Sequence, residues 1–328
     1  MPVNVPRLDV RATIEAWPLA DAFVISRGAK TQARVVVATV SDGQHTGRGE
    51  CVPYSRYNES VEGIAAAINS AAVTASRFAL HAALPHGAAR NAIDCALWDL
   101  ECKRTGRSAA TIAGLASLQP VLTCYTLSLG TPESMAAKAA SVPQLMLLKL
   151  KLGGAGDIER MLAVRQARPD ARLVADANEA WTLDMLQPYL AAAREVGIEL
   201  IEQPLPAGQD AALATIPHPV AVCADESVHT STDLAALRDR YDAVNIKLDK
   251  AGGLTEALAM SRAAKAAGFR IMAGSMVGTS LAAAPALLLA QDADWADLDG
   301  PLLLARDREY GLSITAGLIA LPLPALWG

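Results

Sequence analysis

From about residue 121 the chain repeats one pattern eight times: a short β-branched or leucine-rich run ending in polar residues, then an alanine-rich stretch with helical periodicity. Eight consecutive strand–helix units in one domain predict a closed parallel (β/α) barrel. An open doubly wound sheet is the alternative fold, but no GxGxxG follows the first run to mark a nucleotide site. The predicted strands are residues 121–127, 145–151, 172–176, 199–202, 220–224, 243–247, 269–273 and 296–298.

The segment before the barrel has a different pattern, with strands first and helices afterwards. This order is typical of an α+β domain. After Pro301 the chain returns to strand-like segments, which we expect to rejoin that first domain. The predicted hairpin strands are 33–41 and 49–52, the predicted helices are 60–78 and 87–103, and the C-terminal strands are 311–315 and 317–320.

Composition limits the partners and the compartment. The net charge is -5 and the basic residues are scattered, which argues against a nucleic-acid partner. The longest apolar run, 281–290, is too short to span a bilayer, and the N-terminus lacks a signal-peptide pattern. Five cysteines without CxxC spacing indicate reduced thiols and no zinc site. We therefore expect a cytoplasmic protein with no membrane partner.

Ionisable residues stand at the ends of five consecutive predicted strands, which in a barrel point into the active-site mouth. Counted from the first, the successive steps are 25, 26, 23 and 22 residues, each one repeat, so the five groups form one ring. A single polar strand end has a simple explanation, because chains become polar there. Five in succession after buried runs do not, since burying isolated charges is costly. The five are Lys151, Asp176, Glu202, Asp225 and Lys247.

Three of these residues, Asp176, Glu202 and Asp225, are carboxylates on adjacent predicted strands. Converging carboxylates repel one another and hold protons unless a cation lies between them. Oxygen ligation with no histidine at the strand ends favours Mg²⁺ over zinc, while ligand type alone leaves Ca²⁺ and Mn²⁺ open. The sequence therefore predicts a hard-metal site.

Lys151 and Lys247 precede and follow the carboxylates, so we expect them to flank the metal as an acid/base pair. A lysine base at neutral pH needs its pKa lowered from about 10.4. Lys149 points to the same side of its strand as Lys151, and two ammonium groups near a metal disfavour the protonated form. A salt bridge to a strand-end carboxylate is the alternative for Lys149. Lys250, in the turn after its strand, is expected to be structural.

Several motifs resemble the enolase superfamily, muconate-lactonising subgroup: LLKLKLGG, VADANEAW, IEQPLP, ADESVHT and NIKLDKAGGLTEAL. Others resemble its L-Ala-D/L-Glu (dipeptide) epimerases: FVISRG, PYSRYNES, AARNAIDCALWDLECKR and DLDGP. The resemblance implies a modified (β/α)7β TIM-type barrel over residues 119–303 and an α+β capping domain over residues 1–118, to which residues 304–328 return. It also implies two-base proton transfer at a Mg²⁺ site, with Lys151 and Lys247 as the bases, Lys149 beside them, and Asp176, Glu202 and Asp225 as ligands.

The resemblance further implies a small dipeptide substrate, with L-Ala-D/L-Glu from cell-wall peptide recycling preferred. Asp297 and Asp299 of DLDGP match the carboxylate pair that holds the substrate's free α-ammonium. Arg27 matches a cap arginine expected to pair with the glutamate side-chain carboxylate, a task suited to its planar fork. We expect Ser275 to support the substrate carboxylate and Tyr54 to line the cap.

Other functions remain open at this point. N-acylamino acid racemisation, o-succinylbenzoate synthesis and cycloisomerisation use the same residues, but their substrates lack the free ammonium that Asp297 and Asp299 would bind. No histidine occupies a predicted strand end, which argues against the histidine-using dehydratase branches. An inactive barrel serving as a binding or scaffold protein is an alternative of another class, against which the intact lysines and carboxylates speak. Assembly into a homo-oligomer is left open.

Overall fold

The computed structural model describes residues 7–328. The first six residues, which belong to the predicted capping domain and to the N-terminal stretch expected to carry no signal peptide, lie outside the described residues. The described chain opens with a three-stranded antiparallel meander in the order β1-β2-β3. The first strand was missed by the sequence analysis; its side chains are mostly exposed, so it lacks a strong apolar pattern. The strands are β1 (Asp9–Ile25), β2 (Gly28–Ser41) and β3 (Thr46–Cys51).

Four helices complete this part of the chain, which we call the cap (β1–β3 with α1–α4). The single helix predicted over residues 60–78 is wrong. Ser60 and Ser76 each accept a main-chain N–H at the start of a separate helix, and Ala71 between them is extended. The helices are α1 (Val61–Ser70), α2 (Arg77–Ala83), α3 (Ala88–Thr105) and α4 (Ala109–Ile112).

Two glycines allow β3 to lie directly against α3. A Cβ at Gly47 would stand 2.0 Å from the carbonyl oxygen of Ala96, and one at Gly49 would stand 2.2 Å from that of Ala92. Residues two apart on a strand share a side, and residues four apart on a helix share a face. The two backbones are therefore in contact, and no larger side chain fits between them.

Eight parallel strands form the predicted barrel. Neighbours pair in chain order, and a bridge between Thr123 and Ala296 joins the two ends, which confirms the barrel over the open sheet. The predicted strand 121–127 is divided, because β4 (Val121–Leu122) pairs with a C-terminal strand instead. The barrel strands are β5 (Tyr125–Leu127), β6 (Leu147–Lys151), β7 (Arg172–Asp176), β8 (Ile198–Glu202), β9 (Ala221–Ala224), β10 (Ala243–Lys247), β11 (Arg270–Gly274) and β12 (Trp295–Asp297).

Helices follow most of these strands and bury the outer face of the barrel. After β8 the connection contains a 3-10 turn, Ala211–Thr215, in place of a full helix. Within residues 7–328 no helix is long and apolar enough to cross a membrane. The helices are α5 (Pro132–Ala140), α6 (Asp157–Ala167), α7 (Leu183–Val196), α8 (Leu234–Leu237), α9 (Leu248–Ala251), α10 (Leu254–Ala266), α11 (Ser280–Ala290) and α12 (Gly300–Leu303).

The C-terminal segment contacts both parts of the chain. Its strands β13 (Ile314–Thr315) and β14 (Leu318–Ile319) form a small sheet with β4. Arg308 donates hydrogen bonds to carboxylates of the cap meander, and the Trp327 indole donates to the carbonyl oxygen of Cys95 in α3. The domain boundaries at residues 118 and 303 stay a prediction.

Candidate active site

A cavity of about 1000 Å³ opens between the cap and the carboxyl ends of the barrel strands. The β1–β2 hairpin tip and residues 52–62 form its cap wall, and the ends of β6, β10 and β12 contribute its floor. Alternation along β6 sets what faces the barrel interior: Leu147 packs inside, and Leu148 and Leu150 pack outward against the helices. Lys149 and Lys151 therefore point inward, above Leu147.

The structure brings the predicted charged residues together at the cavity floor and directly beneath it. Asp176 ends β7, Glu202 ends β8 and Asp225 directly follows β9, and all three carboxylates are buried. Lys151 ends β6 and Lys247 ends β10, and both line the cavity together with Asp225. The lysines thus border the carboxylates on two sides along the sheet.

The two predicted acid/base lysines hold different carboxylates. The Nζ of Lys151 is 2.6 Å from Oδ2 of Asp176. The Nζ of Lys247 is 2.6 Å from Oδ2 of Asp225 and 3.7 Å from Oε1 of Glu202. Burial lowers the pKa of Lys247, but Asp225 and Glu202 outweigh this effect and raise that pKa well above its ordinary value.

Lys149 lies between the carboxylates and is only 1% exposed. Its Nζ is 2.5 Å from Oε2 of Glu202, 2.6 Å from Oδ2 of Asp297 and 3.2 Å from Oδ2 of Asp176. Burial lowers the pKa of Lys149, but these carboxylates raise it further than burial lowers it. The salt bridge to strand-end carboxylates expected as the alternative for Lys149 is what the structure has. The effect of a bound metal on its protonated form stays a prediction.

Two further buried side chains hold the carboxylates in place. Lys250 donates to Oδ1 of Asp225 at 2.5 Å and to the main-chain oxygens of Asp225 and Asn245, which agrees with its expected structural role. The amide of Asn245 donates to Oε1 of Glu202 at 2.7 Å. The sequence analysis missed Asn245, although it lies two residues before Lys247 and so on the same side of β10.

The three carboxylates respond differently to their burial. Burial raises the pKa of Asp176, but the ammonium groups of Lys151 and Lys149 outweigh it and hold that pKa well below its usual range. Asp225 is likewise held low, by Lys247 and Lys250 against its burial. For Glu202, burial and the neighbouring Asp176 raise the pKa to about 7. Glu202 is thus the one carboxylate of the three whose burial is not fully offset by neighbouring ammonium groups.

The donor set fits a hard cation. All three buried side chains offer oxygen, the donor that Mg²⁺ prefers. Oε2 of Glu202 forms an ion pair with the Lys149 ammonium at 2.5 Å. Within residues 7–328, however, no three acidic, histidine or cysteine side chains already stand in the arrangement of a metal site. Each of the three carboxylates instead pairs with a lysine ammonium, and their role as metal ligands stays a prediction.

The two aspartates of DLDGP, Asp297 and Asp299, line the same cavity. Asp297 accepts from Lys149 through Oδ2, while its buried Oδ1 has no hydrogen-bond partner in the described part of the chain. Asp299 lies beyond the end of β12 rather than on it, and its Oδ2 accepts the main-chain N–H of Thr126 at 2.6 Å. Burial and the Asp297 charge raise the pKa of Asp299 to about 7. Ser275 follows β11, donates its main-chain N–H to the Asp297 carbonyl and also lines the cavity.

Arg27 and Tyr54 lie on the cap wall, as expected, and contact each other. The guanidinium of Arg27 donates to the Tyr54 hydroxyl at 3.0 Å and to Oε1 of Glu226 at 2.8 Å. It also donates to the main-chain oxygen of Asn178 and to Glu179. Every one of these partners belongs to the protein itself.

The sequence analysis missed several residues of the cavity region. Glu226, Asn178 and Glu179 directly follow the strand ends of Asp225 and Asp176, and this adjacency was the signal that could have found them. Burial and the Asp225 charge raise the pKa of Glu226 to about 7. The cap residues have no such signal, because their approach to the barrel is a tertiary feature; they are Phe23, Lys30, Arg56 and Tyr57.

Fold and site together define a class: a (β/α)-barrel enzyme in which buried lysines and carboxylates meet beneath an α+β cap. The chain belongs to the mandelate racemase / muconate lactonizing enzyme family of the enolase superfamily. The model for the N-terminal domain of that family matches residues 7–114, and the enolase C-terminal domain-like model matches residues 134–322. The resemblance noted in the sequence is thereby confirmed.

Two relatives have named activities. The L-Ala-D/L-Glu epimerase of Escherichia coli (strain K12) is 47% identical over 314 residues, which is 94% of this chain and 98% of the relative. The N-acetyl-D-glutamate racemase of a Pseudoalteromonas species is 41% identical over 300 residues, 90% of this chain and 95% of the relative. Both relatives are epimerases or racemases, and the enzyme class here is isomerase.

Two solved structures share the fold over nearly the whole chain. An Agrobacterium tumefaciens enolase family member with homology to dipeptide epimerases, with bound sodium and L-Ala-L-Glu, has a TM-score of 0.96 at 54% identity and covers 98% of this chain and 100% of its own. The dipeptide epimerase of Cytophaga hutchinsonii, complexed with Mg and D-Ala-L-Val, has a TM-score of 0.89 at 26% identity and covers 97% and 94%.

Proposed function

We propose that this chain is a Mg²⁺-dependent dipeptide epimerase, acting on L-Ala-D/L-Glu by two-base transfer of the α-proton. The observation that carries the proposal is the placement of Lys151 and Lys247. They lie at the ends of β6 and β10, on either side of the carboxylates, and both line one cavity. The named activity of the Escherichia coli relative and the dipeptides in the two solved structures support the substrate class.

Asp176, Glu202 and Asp225 would hold Mg²⁺, as the set of three buried carboxylate donors supports. When bound, the metal supplies positive charge that stabilises the second negative charge developing on a substrate carboxylate as the α-proton leaves. Carboxylates engaged as ligands also hold the neighbouring ammonium groups less strongly. Lys247, whose pKa Asp225 and Glu202 raise, then loses a proton more readily.

The two lysines divide the proton transfer between them. One lysine, as the free amine, takes the α-proton from one face of the substrate, while the other, as the ammonium, donates a proton to the opposite face. The substrate carbon loses one proton and gains one, so its configuration inverts with no net change in composition. A single base would suffice for a syn elimination, which makes the second lysine the feature that supports epimerisation.

The DLDGP carboxylates are proposed to bind the free α-ammonium of the dipeptide. Asp297 offers a buried oxygen, Oδ1, that has no hydrogen-bond partner among residues 7–328, and Asp299 lies beside it. A cationic group is the natural partner for two close carboxylates, because the Asp297 charge raises the pKa of Asp299 in spite of the nearby Lys149 ammonium. Ser275, Tyr54 and Arg27 are proposed as further lining residues of the substrate subsite.

The test is turnover of L-Ala-L-Glu in D₂O followed by ¹H NMR, with and without a chelator. We expect exchange of the glutamyl α-proton for deuterium together with appearance of L-Ala-D-Glu. Both signals should stop on removal of Mg²⁺ with EDTA and return when Mg²⁺ is added. Activity that is indifferent to the chelator would contradict the metal-assisted mechanism, and no exchange at all would contradict the epimerase.

N-Acylamino acid racemisation is the second candidate, because the Pseudoalteromonas relative is named for such a reaction. Its substrates carry no free ammonium, so Asp297 and Asp299 would face an amide instead. The same NMR assay with N-acetyl- and N-succinyl-glutamate separates the two candidates. Racemisation of these compounds without turnover of the dipeptide would favour the second candidate.

The proposal extends to the setting of the enzyme. All five cysteines are buried free thiols, as expected of a chain that works in the reducing cytoplasm. Recycling of cell-wall peptides is the proposed role, since that process supplies the L-Ala-D-Glu dipeptide. Assembly into a homo-oligomer would leave the cavity unchanged unless the assembly covered the cap wall. Sedimentation analysis measures the size of the assembly.

A further inference from the structure

The loop after β7 contains a turn that is strained at one of its residues. Ala180 donates its main-chain N–H to the Ala177 carbonyl at 2.9 Å, and the two residues between them have φ of 46° and 67°. Positive φ at both central positions is the mark of a type I′ turn, which favours asparagine first and glycine second. Asn178 suits its place, but Glu179 stands where glycine is preferred. A side chain there costs stability that glycine would not.

Main-chain hydrogen bonds from the end of β8 hold this turn in its conformation. The N–H groups of Ala177, Glu179 and Trp181 donate to the carbonyls of residues 202, 203 and 204 at 3.0, 2.9 and 3.0 Å. Strained backbone persists only where the surrounding structure fixes it in this way. Because glycine would satisfy the turn at lower cost, the strain points to a task for the Glu179 side chain.

The Glu179 carboxylate joins two separate segments of the cap to the barrel. The guanidinium of Arg56, in the 3-10 turn Ser55–Tyr57, donates to its two oxygens at 2.9 and 3.0 Å. Arg27 of the hairpin tip donates to one of these oxygens at 3.2 Å. The main-chain N–H of Ala207, in the loop after β8, donates to the other at 2.8 Å. We call Glu179 with Arg27 and Arg56 the clamp.

The clamp is largely shielded from water on its acidic side. The Glu179 side chain is 9% exposed, while those of Arg27 and Arg56 are 27% and 40% exposed. Burial raises the pKa of Glu179, but hydrogen bonds from Arg56 and the Ala207 N–H outweigh it and lower that pKa below its ordinary value. Glu179 is therefore a charged carboxylate at neutral pH. A two-pronged arginine pair with such a group is stronger than an ordinary surface pair.

Both arginines of the clamp line the cavity, whereas Glu179 lies outside the lining formed by residues 7–328. Its carboxylate therefore acts on a ligand through the two arginines. Two guanidinium groups that share one carboxylate repel each other once its charge is removed. The cap wall is then drawn less strongly onto the barrel, so the fraction of protein with a formed cavity falls. A ligand that needs the formed cavity binds more weakly by the same factor.

We infer that Glu179 is a positioning residue: its carboxylate clamps the Arg27 and Arg56 segments of the cap to the barrel and so forms the cavity wall that the substrate contacts. The kinetic part of this inference rests on the proposed function. The clamp itself is a property of the folded protein, which allows the two to be tested separately.

Release of the clamp can be measured without substrate, because trypsin cleaves after arginine and Arg56 is part of the clamp. Glu179→Gln keeps the size of the side chain and removes its charge. We expect cleavage after Arg56, identified by mass spectrometry, to be about five- to thirtyfold faster in this variant than in wild type. The matched control is Glu199→Gln, which alters another two-pronged arginine pair, with Arg172 at 2.8 Å, at the opposite end of the barrel. Cleavage after Arg56 in the control should stay within about twofold of wild type.

The kinetic prediction is a rise in KM with little change in kcat. For epimerisation of L-Ala-L-Glu, Glu179→Gln should raise KM by about five- to thirtyfold and leave kcat within about threefold, because saturating substrate restores the formed cavity. Glu199→Gln should leave both constants as they are in wild type.

A second pair of variants separates positioning from general stability. Glu179→Ala and Glu179→Gly both lack the carboxylate, but only glycine relieves the positive φ. The glycine variant should therefore melt roughly 2 °C above the alanine variant. Both should show the same raised KM within about twofold, since neither can hold the two arginines. A residue that merely supports the fold would instead give a KM that follows the melting temperature.

Several results would overturn the inference while the proposed function stands. They are unchanged cleavage after Arg56 in Glu179→Gln, an unchanged KM in that variant, and a fall in kcat at constant KM. A KM that follows the melting temperatures of the alanine and glycine variants would also overturn it. A wild-type enzyme that turns over no dipeptide would remove the proposed function and the kinetic role of Glu179 with it, while the tryptic rates would still show whether the carboxylate holds the cap.

Discussion

Replacing Lys149 by methionine removes the central positive charge of the site while keeping a side chain of similar length. Three carboxylates within 3.2 Å of its Nζ lose their common counter-ion, in a place that is 1% exposed. Removing one partner of a buried ion pair costs about 3–5 kcal/mol. With roughly 2 °C lost per kcal/mol for a chain of this size, the Lys149→Met protein should melt roughly 6–10 °C lower.

The assay is thermal unfolding followed by circular dichroism in EDTA, where no cation substitutes for the lost ammonium group. The matched control is Lys138→Met, which removes a surface lysine that is 2.7 Å from Asp21 and 42% exposed. That exposed pair should contribute less than about 1 kcal/mol. Adding Mg²⁺ should recover part of the stability of Lys149→Met, because a bound cation stabilises the folded state. A Lys149→Met protein that melts within about 2 °C of wild type in EDTA would refute the reasoning.

Three further changes test the scaffold. Gly49→Ala would place a Cβ 2.2 Å from a carbonyl oxygen of α3, and we expect a loss of about 1–3 kcal/mol or more in thermal unfolding. Glu50→Gln leaves the largely buried Arg308 without the buried one of its two carboxylate partners, so stability should fall by about 3 kcal/mol and limited proteolysis of the cap should quicken. A hydrogen bond to Asp242 raises the pKa of His218 above 6.5, so its contribution is full below pH 6.5 and is lost as pH rises through the raised pKa. His218→Gln should therefore cost up to about 1 kcal/mol at pH 5.5 and less at pH 9, as measured by urea unfolding.

The sequence was sufficient for the barrel and for the order of charges around it. Each strand end recurs after one repeat, and the charged residue at that end faces the mouth because strand geometry dictates it. Lys151, Asp176 and Lys247 therefore lie where their spacing predicts. Local sequence signals also predicted the cap helices in part. The break between the first two of them at Ala71 was missed because the apolar periodicity continues across it.

What the sequence could not supply is the pairing of charges and the docking of the cap. Lys149 forms ion pairs with three carboxylates from three other strands. The spacing of residues along the sequence does not determine which lysine pairs with which carboxylate. The motif around Arg27 predicts a substrate-binding arginine. Its partners Asn178 and Glu179, however, lie in a barrel loop some 150 residues away in the chain. Lys30 has no motif at all, and only the hairpin register against Phe23 places it in the cavity.

The central claim is that Lys151 and Lys247 serve opposite faces of one α-carbon. The direct test is exchange of the glutamyl α-proton in D₂O by Lys151→Met and Lys247→Met, each given L-Ala-L-Glu and L-Ala-D-Glu separately. We expect each variant to exchange the proton of one epimer only, the two variants choosing opposite epimers, with epimerisation reduced by about 10²–10⁴-fold in both. Exchange of the same epimer by both variants, or continued epimerisation by either, would contradict the account.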